Sequence, residues 1–392
     1  MPENYSQDEP ITRRLHGILK DYPDGSQILR EILQNSDDAK STEQIFILDH
    51  NTYPSNRFIK PDLVNYERAN LRLGRYQGPA LLAKNNTIFE KRDFESLRNL
   101  SNSKKKDQID KIGVMGLGFN SIYHITDFPS FITGDKYANF DPHKWHFLGG
   151  IIYNFVDEKL FEESPDQLAP FKIPCDETCD NPFKKPFKGT VFRYPLRDYT
   201  KSEISNKIYK PKEILDMFHN FYEKESINCL LFLKYIERIY FYELKKGATE
   251  LELLYTIQLE NADQVRHQRR LIAENIIPMM KLLKSKELSS KNQLETSSYV
   301  ALFSRQKKRD TKKIYSWLIL NYLDDLFETE AHCQKKFDID ISNHKLIPNI
   351  GLAVPLNNLN VTGRLFCFLP LPIEMPFPVS VHGYFAVRID KS

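Results

Sequence analysis

Three polar residues of one short segment have the types and spacing that a magnesium–nucleotide site requires. Glu31, Asn35 and Asp38 lie in EILQNSDDA at intervals of four and three residues, and this spacing places them on one stripe of a helix. An amide oxygen can coordinate a hard cation, and a carboxylate one turn away can activate a water molecule. Taken alone, the triplet is more typical of a solvated helix face.

A cluster of glycines is the second feature with chemical potential. The chain has only 15 glycines, yet Gly113, Gly116 and Gly118 fall within six residues of KIGVMGLGFNSIYHI. A backbone without side chains can approach a phosphate closely, and the start of the predicted helix supplies unpaired N–H groups. The spacing differs from the dinucleotide pattern G-x-G-x-x-G, and a tight structural turn explains it about as well.

A third feature is Gly189–Thr190 at the start of the predicted strand TVFRYPL. The threonine hydroxyl could hydrogen-bond an adenine edge. In isolation, Thr190 is simply a β-branched residue in a strand, a position that favours this residue type.

Hydrophobic periodicity predicts the elements that hold these residues. The second helix is predicted at about 27–40, with Ser26 as its cap and an apolar side formed by Ile28, Leu29, Ile32 and Leu33. The other predicted elements are helices at 9–21, 90–100, after the glycine cluster, 212–223 and about 261–286, and strands at 43–50, ALLA, PSFITG, 189–196, CLLFLKYIERIYFYEL, ELLYTIQL, TGRLFCFLPLP and VSVHGYFAVRI. Helices followed by strands mixed with helices predict an α+β sandwich.

Length and composition narrow the class of protein. A chain of 392 residues predicts two or three domains, with a boundary near 197–212. The chain has 55 basic and 52 acidic residues. Because these charges nearly balance, no nucleic acid or anionic membrane is expected as the main partner. Five scattered cysteines and the lack of a leader or a long apolar run predict a soluble, cytoplasmic protein.

Together, and in this order, the three features resemble the Bergerat ATP-binding fold of the GHKL superfamily, which includes heat-shock protein 90, DNA gyrase B, histidine kinases and MutL. The segments ILREILQNSDDA, YQGPALLAKNN, IGVMGLGFNSIYHITDFPSFITGD and GRLFCFLPLP are similar to sacsin-repeat sequences, the heat-shock-90-like units. The similarity spans about 10–196 and resumes at 345–386. It implies a Bergerat α/β sandwich at 1–200 and a second α+β domain, comparable to a chaperone middle domain, at 201–392.

The resemblance also implies roles for individual residues. Glu31 corresponds to the residue that orients or deprotonates the attacking water, and Asn35 to the asparagine that coordinates Mg²⁺. Asp38 and Ala39 would line the nucleotide pocket, and Thr190 would lie near the adenine. Gly113, Gly116 and Gly118 would wrap the phosphates, and Leu117 and Phe119 would contribute backbone N–H groups. The resemblance also implies a mobile lid over 101–112, where a lysine could reach a phosphate: Lys104, Lys105, Lys106 or Lys111.

One position departs from the superfamily pattern. The adenine-binding aspartate belongs to a D-x-G-x-G box, whereas this chain has AKNNTIFEKRDF, with Asn86 or Asn85 and no glycine. A neutral hydrogen bond contributes about 0.5–1.5 kcal/mol against about 1.5–3 for a charged one. We therefore expect adenine recognition to be weaker by on the order of tenfold.

The expected function is ATP binding with slow Mg²⁺-dependent hydrolysis, driving a clamp-like change that serves protein folding or quality control. Client proteins or co-chaperones are the expected partners. The alternative is a degenerate, non-hydrolysing scaffold module of a larger assembly, which Asn86 favours. A DNA-processing member of the superfamily is disfavoured by the near-neutral charge. Arg388 is the nearest candidate for an arginine that reaches the γ-phosphate, and Arg364 is expected to be structural.

Overall fold

The protein is described here by a computed structural model that covers residues 9–21, 24–59, 73–98, 118–157, 160–175, 181–285, 295–337, 347–357 and 361–383. The helices are α1 Ile11–Asp21, α2 Ser26–Asp38, α3 Lys91–Arg98, α4 Leu160–Glu163, α5 Pro165–Leu168, α6 Lys172–Cys175, α7 Pro211–Lys224, α8 Ala262–Ser285 and α9 Leu326–Phe337. Shorter 3₁₀ helices span Gly74–Gln77, Gly118–His124, Ala169–Phe171, Pro182–Lys184 and Asn228–Leu230.

The strands make this a mixed α+β chain, as the sequence predicts. They are β1 Glu43–Asp49, β2 Ala80–Asn85, β3 Ser130–Gly134, β4 Lys136–Phe140, β5 Gly150–Asn154, β6 Phe187–Pro195, β7 Arg238–Leu244, β8 Glu252–Leu259, β9 Glu295–Lys307, β10 Lys313–Leu323, β11 Asn349–Pro355, β12 Arg364–Cys367, β13 Leu369–Glu374 and β14 Ser380–Gly383. None of the described helices is long and apolar enough to cross a membrane.

The described residues divide into two compact units. The first unit comprises those up to Arg98, those from Gly118 to Phe221, and Tyr240–Leu254. The second comprises Tyr222–Ile239 and those from Tyr255 onward. The division at 1–200 and 201–392 stays a prediction, because compactness does not show which segments fold independently.

The sheet of the first unit has the order β7-β1-β2-β6-β3-β4-β5. The pairs from β1 to β5 are antiparallel, so short connections suffice between neighbours. The core on this sheet is largely aromatic and aliphatic, and includes Ile47, Leu82, Ile132 and Val191, all fully buried.

Helix α2 forms within two residues of its predicted bounds and buries the predicted side, but the predicted cap is wrong: Ser26 is the first helical residue and Gly25 is the N-cap. Its four apolar residues Ile28, Leu29, Ile32 and Leu33 are at most 5% exposed, as expected for a stripe that repeats every three to four residues. Gly25 precedes the helix with a φ of 78°, a left-handed conformation that glycine adopts without strain. The helix ends at Asp38, and the Ala39 N–H donates to the Asn35 carbonyl at 3.0 Å.

The segment after the glycine cluster forms a shorter and tighter helix than the sequence predicts. Gly118–His124 is a 3₁₀ helix, and it packs against α1 and α2. Its residues from Asn120 to His124 are all buried, so no polar face remains to give the period of an amphipathic α-helix. Asparagine, serine, β-branched and aromatic residues also disfavour a long α-helix here.

Within the second unit, the strands follow the order β8-β9-β10-β11-β14-β12-β13. Its longest ladder pairs β9 with β10 in antiparallel register, from Lys313 opposite Arg305 to Leu323 opposite Glu295. Helix α8 packs on β9. The apolar run CLLFLKY, predicted as a strand, instead forms the 3₁₀ helix Asn228–Leu230 and irregular, largely buried chain.

Candidate functional site

Glu31 is the carboxylate of the candidate site, and α2 holds it in a partly buried position. Its Oε1 atom accepts a hydrogen bond from Gln27 Nε2 at 3.0 Å, one helical turn earlier. Burial raises the pKa of the Glu31 carboxyl above 4.5, and this effect outweighs the Gln27 hydrogen bond and the charge of Arg30, which both lower it. A carboxylate with a raised pKa is a stronger base when ionised, as proton transfer from water requires.

The glycine segment reaches this carboxylate directly. A β-carbon at Gly118 would overlap Glu31 Oε2 and would lie 3.1 Å from Glu31 Cδ. Any β-carbon at position 118 would therefore require the Glu31 carboxylate to shift. The next residue, Phe119, is anchored by the rings of Phe140 and Phe192, at centroid distances of 6.1 and 5.8 Å. The structure therefore brings together two of the motifs that the sequence singles out.

Asn35 lies one turn after Glu31 on the exposed side of α2. Its side chain makes no hydrogen bond to the described part of the chain, while its carbonyl accepts the Ala39 N–H. Asp38 and Ala39, one turn further, are partly buried. The amide oxygen of Asn35 is a ligand type that Mg²⁺ accepts together with water and phosphate oxygens. These residues fit the predicted ion.

Asn85 and Thr190 meet at the end of the β2–β6 ladder. They are direct partners in the antiparallel register, and their exposed fractions are 6% and 0%. Asn85 Nδ2 donates to the Ser36 hydroxyl at 3.1 Å, and Ser36 donates to Gln44 Oε1 at 2.6 Å. Since Ser36 follows Asn35 on α2, this buried network joins the strand end to the helix of the candidate site.

Asn86 has a different environment from Asn85. Its Oδ1 atom accepts hydrogen bonds from the Ser41 hydroxyl at 2.5 Å and from the Thr42 N–H at 3.1 Å. Its Nδ2 atom donates to Thr42 Oγ1 at 2.8 Å. These contacts tie Asn86 to the turn between α2 and β1. Of the two asparagines that the sequence leaves open, Asn85 is therefore the one connected to Ser36 and Thr190.

Thr190 is held by its neighbours in the sheet. Its hydroxyl donates to the Thr87 carbonyl at 2.7 Å, and its oxygen lies 2.8 Å from Thr133 Oγ1. Gly189 allows this arrangement, because a β-carbon there would lie 2.5 Å from the Asn85 carbonyl oxygen. The Gly189–Thr190 pair thus fixes the position of Asn85.

Two buried polar side chains next to Gly118 lack hydrogen-bond partners within the described residues. They are Asn120, with both its oxygen and its nitrogen, and Ser121, with its hydroxyl. Asn120 is 1% exposed and Ser121 is fully buried. An unsatisfied buried polar group costs about 1–3 kcal/mol, so such groups concentrate where a water or ligand completes the structure.

Several predicted site residues lie outside the described residues: Gly113, Gly116, Leu117, the segment 101–112 with its lysines, and Arg388. Arg364 is described, on β12, where its Nη2 atom lies 3.7 Å from Glu374 Oε1 on β13. The sequence reasoning missed Gln27, Ser36 and Asn120. Gln27 could have been found from its spacing of four residues before Glu31, whereas the partners of Ser36 depend on chain folding.

Comparisons with known protein sequences identify the family of this chain. The Sacsin domain family matches residues 8–256, and the chain belongs to this family. It is 31% identical to human (Homo sapiens) sacsin over 397 aligned residues, which cover 98% of this chain and 8% of sacsin. The chain therefore spans about 8% of the length of that relative. The sacsin-like identification made from the sequence is confirmed.

Proposed function

We propose that this chain is a nucleotide-binding module of the GHKL type, which binds ATP with Mg²⁺ and hydrolyses it slowly. The observation that carries the proposal is the approach of the Gly118 backbone to Glu31. This approach supports the proposal because a backbone without a side chain suits phosphate contact, and a neighbouring carboxylate suits activation of water. The resemblance to the Bergerat fold supports the same conclusion.

Each residue of the module has a distinct role in this proposal. Glu31 orients and deprotonates the attacking water, and Gln27 holds its carboxylate through the 3.0 Å hydrogen bond. Asn35 holds the magnesium ion, which when bound neutralises charge on the phosphates. Asp38 and Ala39 line the pocket beside it, and the backbone at Gly118 and Phe119 contacts the phosphates.

We assign the base-facing position to Asn85 rather than to Asn86. Asn85 lies opposite Thr190 and bonds to Ser36 on α2, whereas Asn86 is engaged with Ser41 and Thr42. An amide in place of a carboxylate gives weaker and less selective adenine binding. ATP is therefore bound less tightly than in superfamily members with an aspartate.

Calorimetry of Mg-ATP, Mg-GTP and Mg-ADP binding to the purified chain tests the proposal. We expect Asn35→Ala to weaken Mg-ATP binding at least tenfold and to abolish its dependence on Mg²⁺. The matched control is Gln34→Ala, which removes an amide from the next position of α2 and should leave the affinity unchanged. Equal affinity of the wild type and Asn35→Ala, at equal melting temperature, would contradict the role of Asn35.

A second candidate function is a nucleotide-binding or scaffold module that does not hydrolyse ATP. The neutral amide of Asn85 favours it, because a site that has lost its charged base contact is typical of a degenerate nucleotide pocket. Steady-state turnover decides between the two. If the wild type binds Mg-ATP but hydrolyses it no faster than Glu31→Ala, the scaffold function is supported.

The wider role that we propose is protein folding or quality control in the cytoplasm, within a larger assembly. Nucleotide-driven opening and closing would act on client proteins or co-chaperones. The near-neutral net charge of +3 favours protein partners over nucleic acid or an anionic membrane. The odd number of scattered cysteines, five in all, suits a reducing compartment.

A further inference from the structure

A cavity lies in the first unit, and the described side chains that line it are aromatic and basic. It has a volume of about 320 Å³ and is lined by Arg75, Tyr76, Trp145, Tyr199 and Lys201, which we call the aromatic pocket. This volume lies within the range of small-molecule sites, about 300–1,000 Å³. No acidic side chain of the described residues lines it.

The aromatic pocket is separate from the candidate nucleotide site. Tyr76 lies just before β2, and Tyr199 follows the end of β6, where Ala80 pairs with Pro195. Asn85 and Thr190 form the opposite end of the same ladder. Because β2 has six residues, the two ends are about 17 Å apart. A ligand in the aromatic pocket would therefore not contact the candidate nucleotide site.

The aromatic walls are held in place before any ligand binds. Tyr199 donates its hydroxyl to Asp127 Oδ2 at 2.6 Å. Trp145 stacks on His143 at a centroid distance of 4.0 Å and an interplanar angle of 15°. Tyr76 stacks on Phe128 at 4.7 Å and 9°. A preformed site loses little conformational entropy on binding.

The charges at the pocket favour an anionic ligand. Arg75 and Lys201 are both exposed, and neither forms an ion pair with a carboxylate of the described residues. The guanidinium of Arg75 lies 5.6 Å from the centre of the Tyr199 ring, which orients it at the mouth. The negative charge of Asp127, which accepts the Tyr199 hydroxyl, is neutralised by an ion pair with Arg197 at 2.7 Å. Two positive charges therefore remain at the pocket.

We propose that the aromatic pocket binds a small planar aromatic ring that carries an anionic group. Trp145 and Tyr199 provide the surfaces on which the ring stacks. Arg75 and Lys201 pair with the anion, through charge-assisted hydrogen bonds that are stronger than neutral ones. Nucleoside monophosphates and aryl phosphates share this chemistry.

Tryptophan fluorescence gives a local measurement. The chain has two tryptophans, Trp145 and Trp317, and Trp317 is a buried residue of β10 in the second unit. The full-length Trp317→Phe variant, with an unchanged circular dichroism spectrum, reports on Trp145 alone. It is titrated with AMP and with phenyl phosphate, and in parallel with adenosine and phenol as the uncharged counterparts.

We expect saturable quenching by AMP, by phenyl phosphate or by both, with a dissociation constant of about 1 mM or below. Quenching by AMP alone identifies the nucleotide as the ligand class, and quenching by both identifies aryl phosphates in general. Adenosine and phenol should bind at least tenfold more weakly. Arg75→Ala and Lys201→Ala should each weaken binding of the anion by about tenfold. The control is Lys188→Ala, which replaces an exposed lysine on β6 and should leave the affinity unchanged.

Three outcomes would overturn this inference. The first is the absence of saturable quenching by either anion. The second is that the protein binds the charged and the uncharged compounds with equal affinity. The same holds if the wild type and the Arg75→Ala variant bind the anion equally well at matched melting temperature. The third is loss of the signal in Asn35→Ala, since the quenching would then arise from the nucleotide site. If the chain does not bind or hydrolyse Mg-ATP at the candidate nucleotide site, the expected results of these titrations remain the same.

Discussion

The main chain at Gly118 lies directly against the carboxylate of Glu31, so that a β-carbon at this glycine would overlap Glu31 Oε2. The two residues are 87 positions apart in the sequence, and they meet because the 3₁₀ helix Gly118–His124 packs on α2. The side chain of Glu31 can move, whereas the backbone cannot. Any residue other than glycine at position 118 must therefore displace the carboxylate.

We predict that Gly118→Ala impairs turnover much more than stability. The new methyl group pushes the end of Glu31 aside and breaks its hydrogen bond to Gln27, a change that costs only about 0.5–1.5 kcal/mol. The misplaced base should lower the rate of ATP hydrolysis by about 10²–10⁴-fold. Steady-state ATPase assays and thermal melts of the same samples measure both effects.

Gly17→Ala is the control for this substitution, because nothing lies within 4 Å of a β-carbon at that position of α1. It should keep full turnover and gain stability from its helical position. If Gly118→Ala hydrolyses ATP as fast as Gly17→Ala, the contact between Gly118 and Glu31 has no role in catalysis.

The pKa of Glu31 predicts how stability depends on pH. Burial raises this pKa above 4.5, so the folded state binds the proton more tightly than the unfolded chain. Stability therefore falls as the pH rises from about 4.5 through the folded pKa. Glu31→Gln removes this effect, and its melting temperature should exceed that of the wild type by a margin that grows with pH across this window.

The matched comparison for Glu31→Gln is Gln34→Ala on the same helix, whose melting temperature should follow the wild type at each pH. Glu31→Gln should also abolish turnover at every pH, because the amide cannot accept a proton from water. A constant difference in melting temperature from pH 4 to pH 8 would contradict the assignment of a raised pKa.

Local patterns predicted the helix of the candidate site, but not its long-range contacts. The apolar stripe of α2 and the strands β1, β2 and β6 follow from periodicity and residue type. The network of Ser36, Gln44 and Asn85 depends on pairing between α2, β1 and β2, which no single segment encodes. The same limit explains the run CLLFLKY, since a short apolar run does not distinguish a buried strand from a buried helical turn.

We predict that Asn85 and Asn86 differ in their effect on nucleotide binding. Asn85→Ala removes the amide that donates to Ser36 and accepts from the Thr87 N–H, and should weaken Mg-ATP binding by about tenfold. Asn86→Ala removes contacts to Ser41 and Thr42, and should lower the melting temperature with little change in affinity. Calorimetric titration of both variants makes the comparison, and a larger loss of affinity in Asn86→Ala would reverse the assignment.

Asn120 provides a prediction about the ligand-free protein. Its buried amide has no hydrogen-bond partner among the described residues, and an apolar side chain of similar volume removes this cost. Asn120→Leu should therefore raise the stability of the ligand-free chain by about 1–3 kcal/mol. If bound nucleotide or its water satisfies the amide, the same variant should bind Mg-ATP more weakly, and denaturant unfolding with and without Mg-ATP measures both effects.

The prediction for Asn120 would be contradicted if the Asn120→Leu variant lost stability. A loss of stability in the ligand-free Asn120→Leu variant would show that the amide already has a partner, for example an ordered water. The control is Asn181→Leu, because that side chain has a defined structural bond, accepting the Phe183 N–H at 3.1 Å, and its replacement should destabilise the chain.

A buried ion pair, Asp127 with Arg197, bonds to Tyr199 of the aromatic pocket. Asp127 binds Arg197 through both carboxylate oxygens, at 3.0 and 2.7 Å, and also accepts from Tyr199 and Ser202. Burial by itself would raise the pKa of Asp127, but the hydrogen bonds from His143 and Arg197 and the charge of Arg197 hold it far below its usual value. Its stabilising effect is therefore complete above pH of about 4 and is lost only as the pH falls below that value.

Asp127→Ala leaves the Arg197 guanidinium buried without its carboxylate, and breaking a buried pair in this way costs about 3–5 kcal/mol. We expect a large fall in melting temperature at pH 7 and a smaller difference from the wild type in strong acid, where Asp127 is protonated. Asp198→Ala, an exposed acid next to Tyr199, should change stability by less than about 0.5 kcal/mol. Equal melting temperatures for the two variants at pH 7 would show that the Asp127–Arg197 pair contributes nothing to the fold around the pocket.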